Sequence, residues 1–130
     1  MAAAYLDTSA LVKLILHERE SEALVHYLQT PRRVISSVLS GVETVRACQR
    51  ARLPVDDVHD LMQAVETIVL EPGIVRAAGL LPPPALRSLD AIHLASARHV
   101  NDPDLEFVTY DARLAEAART NGLRVVQPGR

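Results

Sequence analysis

Four carboxylates stand apart from the other acids of the chain. Asp7 in Tyr-Leu-Asp-Thr-Ser, Glu43 in Gly-Val-Glu-Thr-Val, Asp90 in Ser-Leu-Asp-Ala-Ile-His-Leu and Asp111 in Val-Thr-Tyr-Asp-Ala are each embedded among apolar or small residues. If they converge, each carboxylate pair at ~4 Å repels by about 4 kcal/mol at an effective dielectric near 20, so the group must protonate or take up cations. An all-oxygen donor set favours Mg²⁺ or Mn²⁺ over zinc. A hard cation so held acidifies water and neutralises the phosphoryl oxygens of a diester, which makes phosphodiester hydrolysis the natural chemistry. Each acid also has an ordinary explanation. Asp90 and Asp111 suit the first turn or N-cap of a helix, where a negative charge faces the macrodipole. Glu43 falls inside a helical stretch, where Arg46 at i+3 would make a surface pair.

These acids need elements to hold them. Residues 3–6 form a short apolar run that ends at Asp7-Thr8-Ser9, residues suited to a helix start. Helical spacing follows through Leu11, Leu14 and Ile15, then through 18–29 with Ala23, Leu24, Tyr27 and Leu28 inward. Pro31 stops it. A strand over 33–36 precedes a helix over 37–52 whose predicted inner face carries Val38, Val42, Val45 and Ala47. Helix 55–66, strand 67–70, helix 74–81, helix 89–99, strand 106–110, helix 111–121 and strand 124–126 complete the order, with Gly122 as a helix stop. The prolines at 82–84 form a loop. Strands alternating with helices imply right-handed crossovers, hence an α/β fold: a three-layer α/β/α sandwich with a mostly parallel central sheet. The functional crevice of such sheets lies beyond the carboxyl ends of the strands, where Asp7 and Asp111 fall.

The 130 residues carry a net charge of −2 and 48% apolar side chains, which suits one compact domain over 1–130 and argues against disorder. Near-neutrality removes the broad basic field of non-specific nucleic-acid binders, so any such work must come from a local site. A lone cysteine, Cys48, can make neither an internal disulfide nor a thiolate zinc centre. With no signal-like opening and no apolar run of membrane length, a cytoplasmic location without membrane association is expected.

With these motifs the sequence resembles the PIN-domain ribonucleases, specifically the VapC-type toxins of bacterial type II toxin–antitoxin systems. Tyr5-Leu6-Asp7-Thr8-Ser9-Ala10-Leu11-Val12-Lys13-Leu14 looks like the first acidic motif of that family. Ser36-Ser37 followed by Val42-Glu43-Thr44-Val45-Arg46 looks like the second, and Leu89-Asp90-Ala91-Ile92-His93-Leu94-Ala95, the most specific, like the third. Phe107-Val108-Thr109-Tyr110-Asp111 with Leu114 and Ala118 resembles the last. The resemblance implies a metal-dependent endoribonuclease in which Asp7 and Asp90 ligate Mg²⁺ or Mn²⁺, while Glu43 and Asp111 complete a catalytic pocket of four acids. Thr8, Ser9 and Thr109 match polar positions near the metal, and their hydroxyls also suit helix capping. A homodimer is implied, as is a VapB-like antitoxin. Its tail would cover the acids, bring an arginine to them, and lie along residues 10–16 and 42–51.

Other residues are less informative. The five histidines contain no His-Glu-x-x-His pattern, which disfavours a zinc hydrolase. His93, three residues after Asp90, reads as a packed or hydrogen-bonded helix histidine and is left outside the site. Arg46, Arg87 and Arg113 adjoin the motifs and are candidates for RNA phosphate contacts or for pairing with the same acids. Tyr5, Tyr27, Phe107 and Tyr110 are too few to form a base-stacking platform. Aspartyl phosphotransfer from Asp7 lacks a second Asp two residues on, and the five glycines form no phosphate loop. The remaining alternative is a catalytically silent module of the same fold that binds RNA or protein.

Overall fold

A computed structural model describes residues 2–130. Strands β1 (Ala3–Leu6), β2 (Arg33–Ser37), β3 (Glu66–Ile68), β4 (Glu106–Val108) and β5 (Arg124–Val126) form one sheet in the order β3-β2-β1-β4-β5. All neighbours are parallel. The connecting helices are α1 (Thr8–Ile15), α2 (Ser21–Leu28), α3 (Val38–Arg50), α4 (Asp56–Ala64), α5 (Pro72–Leu80), α6 (Ser88–His99) and α7 (Ala112–Thr120).

The central strand explains the layers. Successive side chains of β1 point to opposite faces, and all four are buried. Ala3 and Tyr5 join Ile35, Leu94, Phe107 and Leu114 in the cluster under α6 and α7. Ala4 and Leu6 join Leu11, Leu24 and Val108 under α1 and α2. Full burial of leucines such as Leu11 and Leu24 stabilises by about 1.5–3 kcal/mol each, so two-sided burial, not local propensity, fixes the sandwich. The Tyr5 ring stacks on Phe107 at 5.2 Å between centroids, which ties β1 to β4. Small residues on α6, Ala91 and Ala95, let α5 pack closely through Ile74 and Ala78.

Most predicted elements are present, with two instructive departures. The strand expected over 106–110 ends at Val108, because Thr109 and Tyr110 leave the sheet to meet Asp7 and the chain's last residues. More consequentially, α3 presents the opposite face to the one predicted: Ser40, Thr44 and Cys48 are buried, whereas Val38 and Val42 are exposed. The local geometry decides this. Ser36 Oγ donates to the Leu6 carbonyl at 2.6 Å and is hydrogen-bonded to Ser40 Oγ at 2.6 Å, so the helix is drawn in by small polar residues.

The final residues close over the sheet edge. Gln127 Nε2 donates to the Thr109 carbonyl, and the Tyr110 hydroxyl donates to the Pro128 carbonyl. Arg130 donates to Glu20 and to the Tyr110 carbonyl. Glu20, buried, also pairs with Lys13 at 3.0 Å. Gly129 makes the closure feasible. Its φ of +93° is one that side chains rarely adopt, and a β-carbon there would crowd Ala23 and Glu20 at 3.1–3.2 Å.

Candidate active site

The chain runs outward from β1 in two directions, to β2 and β3 on one side and to β4 and β5 on the other. This places a switch point at the carboxyl edge between β1 and β4. Asp7 stands there, immediately after β1, only 3% exposed. Its Oδ1 accepts from Ser9 Oγ at 2.7 Å and from the Ala10 amide at 3.0 Å, capping α1. Its Oδ2 accepts from Thr109 Oγ1 at 2.6 Å. Burial pushes the Asp7 carboxyl above its ordinary range, while the donors from Thr109 and Ser9 pull it part of the way back. The capping role and a role in the site therefore coexist in one side chain.

Glu43 projects from α3 toward α1 and α6. Thr8 Oγ1 donates to its Oε1 at 2.8 Å, and His93 Nε2 lies 2.9 Å from the same oxygen. Partial burial raises its carboxyl, but the hydrogen bond and charge of His93, with Thr8, outweigh that and hold it below the ordinary value. The surface pair with Arg46 is not formed. His93 belongs to this site, a correction to the sequence reading: it is a buried hydrogen-bonded histidine, as expected, yet its partner is Glu43 itself. Its Nδ1 is 2.8 Å from the hydroxyl of Tyr5, whose ionisation burial suppresses. With hydrogen on Nε2, His93 donates to Glu43 while its Nδ1 meets the Tyr5 hydroxyl, so one imidazole joins Tyr5 to Glu43. The only sequence signal was its place one helical turn from Asp90, on the same face.

Asp90 lies half-buried in the first turn of α6. Burial raises its carboxyl first, and the charges of Asp111 and Glu43 add to that against the opposing effect of His93 and Arg87. Asp111 is exposed and caps α7, accepting from the Arg113 and Leu114 amides through Oδ1. Asp90, Glu43 and Asp111 thus share one electrostatic neighbourhood. Among the described residues, however, no three acids, histidines or cysteines are gathered closely enough to hold an ion between them. Ser9 and Thr109, whose hydroxyls also suited capping, help fix Asp7; Tyr110 N donates to Ser9 Oγ and Asp111 N to Thr109 Oγ1, binding the two motifs into one network.

An all-parallel sandwich whose acidic motifs meet at the switch point is the architecture of a PIN domain, and the PIN domain is matched over residues 4–120. The chain belongs to the PIN-domain family. Ribonuclease VapC35 of Mycobacterium tuberculosis is 45% identical over 132 residues, covering 96% of this chain and 96% of that one. Ribonuclease VapC46 of the same species is 38% identical over 129 residues, covering 98% and 99%. The solved structure of VapBC2 from Rickettsia felis bound to a DNA fragment from its promoter superposes with a TM-score of 0.69 at 14% identity. It covers 97% of this chain and 98% of that one, a likeness of fold. The family and fold expected from the four motifs are borne out. No helix among the described residues is long and apolar enough to cross a membrane.

Proposed function

We propose that this chain is the ribonuclease toxin of a toxin–antitoxin pair, an endonuclease that hydrolyses RNA phosphodiester bonds with Mg²⁺ or Mn²⁺ at Asp7 and Asp90. The observation that carries the reading is the charge imbalance at the carboxyl edge: burial pushes the Asp90 carboxyl up, the charges of Asp111 and Glu43 add to that, and among the described residues no lysine or arginine forms an ion pair with any of the four acids. An all-oxygen donor set without a lysine or arginine ion pair fits a hard divalent cation. When bound, the cation supplies Lewis-acid charge for the phosphoryl oxygens and acidifies water for attack. The protein's own part is positioning. Thr109, Ser9 and the Ala10 amide lock the Asp7 carboxylate in one rotamer, so its orientation is set before RNA arrives. Tyr5 and His93 do the same for Glu43, whose depressed carboxyl stays ionised and available to accept a proton or orient water. Asp111 adds negative charge at the mouth.

Kinship with VapC proteins supports a VapB-like antitoxin as partner, with the chain dimeric and at work in the cytoplasm. Two open apolar grooves would suit a covering tail. Ala10 and Leu11 are in the core, whereas Leu14 and Ile15 line one open groove of about 400 Å³ and Val38, Val42, Val45 and Met62 line another of about 580 Å³.

Asp7→Asn and Asp90→Asn should each reduce RNA cleavage by at least a hundredfold while the protein stays folded, and chelator should do the same to the wild type. Mg²⁺ or Mn²⁺ should raise the Tm of the wild type more than that of either variant. Full cleavage in excess chelator, or equal shifts in all three proteins, would remove the metal from the reading. RNase activity measured before and after stripping a co-expressed partner tests inhibition: it should appear on stripping.

A further inference from the structure

Beside Asp90 a cleft of about 350 Å³ separates the loop before α6 from the exposed side of α7. Pro82, Pro83 and Leu86 form its apolar wall; Arg87 and Arg113 line it together with Asp90. The wall is fixed before any ligand binds. Asn121 Nδ2 donates to the Pro82 carbonyl at 3.0 Å, and the Leu86 amide donates to the Pro83 carbonyl at 2.9 Å.

The two arginines are poorly explained by stability. Both are exposed, and neither forms an ion pair within 4 Å among the described residues. Arg87 occupies the N-cap of α6 without capping it, and Arg113 sits in the first turn of α7, so both cations face the helix end that disfavours positive charge. A carboxylate centre repels a polyanion. Cations held next to it, unpaired, are what allow a phosphate chain to approach.

We propose that this cleft is the subsite for the nucleotide adjoining the scissile phosphate, with Arg87 and Arg113 clamping a neighbouring phosphate and the sugar and base lying along Pro82, Pro83 and Leu86. Arginine forks suit phosphate oxygens, and the apolar wall accepts any base, so the subsite fixes register without reading sequence. Glu116, on the same side as Arg113, repels phosphate and confines it to the arginines. This rests on the ribonuclease reading and names how that site holds its substrate.

The test is fluorescence anisotropy with a labelled single-stranded RNA decamer of random sequence, in chelator so that binding is read without cleavage, over a series of salt concentrations. For single strands each neutralised phosphate contributes about 0.7 to the slope of log K against log salt. The Arg87→Gln/Arg113→Gln protein should lose about tenfold in affinity and about 1.4 in slope. Arg87→Lys/Arg113→Lys should retain the slope, and Arg50→Gln, at the far end of α3, should behave as wild type. In cleavage assays the double Gln variant should raise KM and leave kcat within about twofold. An unchanged slope in the folded double Gln variant overturns the subsite, as does an equal loss in Arg50→Gln. So does an unchanged slope accompanied by weaker retention of a protein partner, which would assign the arginines to a protein contact. A wild type that cleaves RNA yet shows no effect in the double variant fails the subsite alone; one that binds through these arginines and never cleaves fails the ribonuclease reading alone.

Discussion

Asp7 carries the tension between folding and function in a single side chain. Three donors surround a carboxylate that burial disfavours, and the balance leaves it binding its proton more tightly in the folded chain than in the unfolded one. The stabilisation from that proton is complete below about pH 4, the ordinary aspartate range, and is lost as pH rises through the folded-state value. Asp7→Asn cannot ionise. In chelator its Tm should therefore rise relative to wild type as pH increases above about 4, as read by thermal scans; a constant difference would mean the carboxylate is better solvated than its burial indicates. The four acids were legible because carboxylates among apolar residues are conspicuous. His93 was not, because a histidine's partners are set by tertiary geometry: its link to Glu43 spans 50 residues and its link to Tyr5 spans 88.

At the scale of elements, strand and helix order along the chain was readable from period and punctuation, whereas strand order in the sheet and register came only with the structure. The orientation of α3 was not readable either. Helical spacing of valines signals an apolar face, but it cannot say whether that face meets the core or solvent; here serine hydrogen bonds at the end of β2 turn it outward. Two consequences are measurable. Val42→Ser should change stability by no more than about 0.5 kcal/mol, as for an exposed position. Thr44, fully buried, has an Oγ1 without a hydrogen-bond partner, so Thr44→Val should stabilise by about 1 kcal/mol in urea unfolding. Reversed signs would restore the valine face to the interior.

Across the whole molecule, the site depends on segments far apart in sequence. Residues at the end of the chain brace the Thr109-Tyr110 segment that orients Asp7, and they are anchored through Glu20, whose carboxyl Lys13 and Arg130 hold at about 2. Gly129→Ala would force a β-carbon to within 3.1 Å of Ala23 at a φ that other residues rarely adopt. It should cost about 2 kcal/mol of stability and lower cleavage activity, since the brace on Thr109 slackens; urea unfolding and an RNase assay read both.

The central place of β1 also sets a timetable. Asp7 and its donor Thr109 are 102 residues apart, and β1 cannot pair with β4 until nearly the whole chain exists. Non-local parallel pairing is slow, and synthesis proceeds at about 5–20 residues per second. A nascent copy thus spends several seconds on the ribosome with its first acid ungripped. On the function proposed above, cleavage is deferred until release, and an inhibitory partner translated alongside would have that interval in which to arrive.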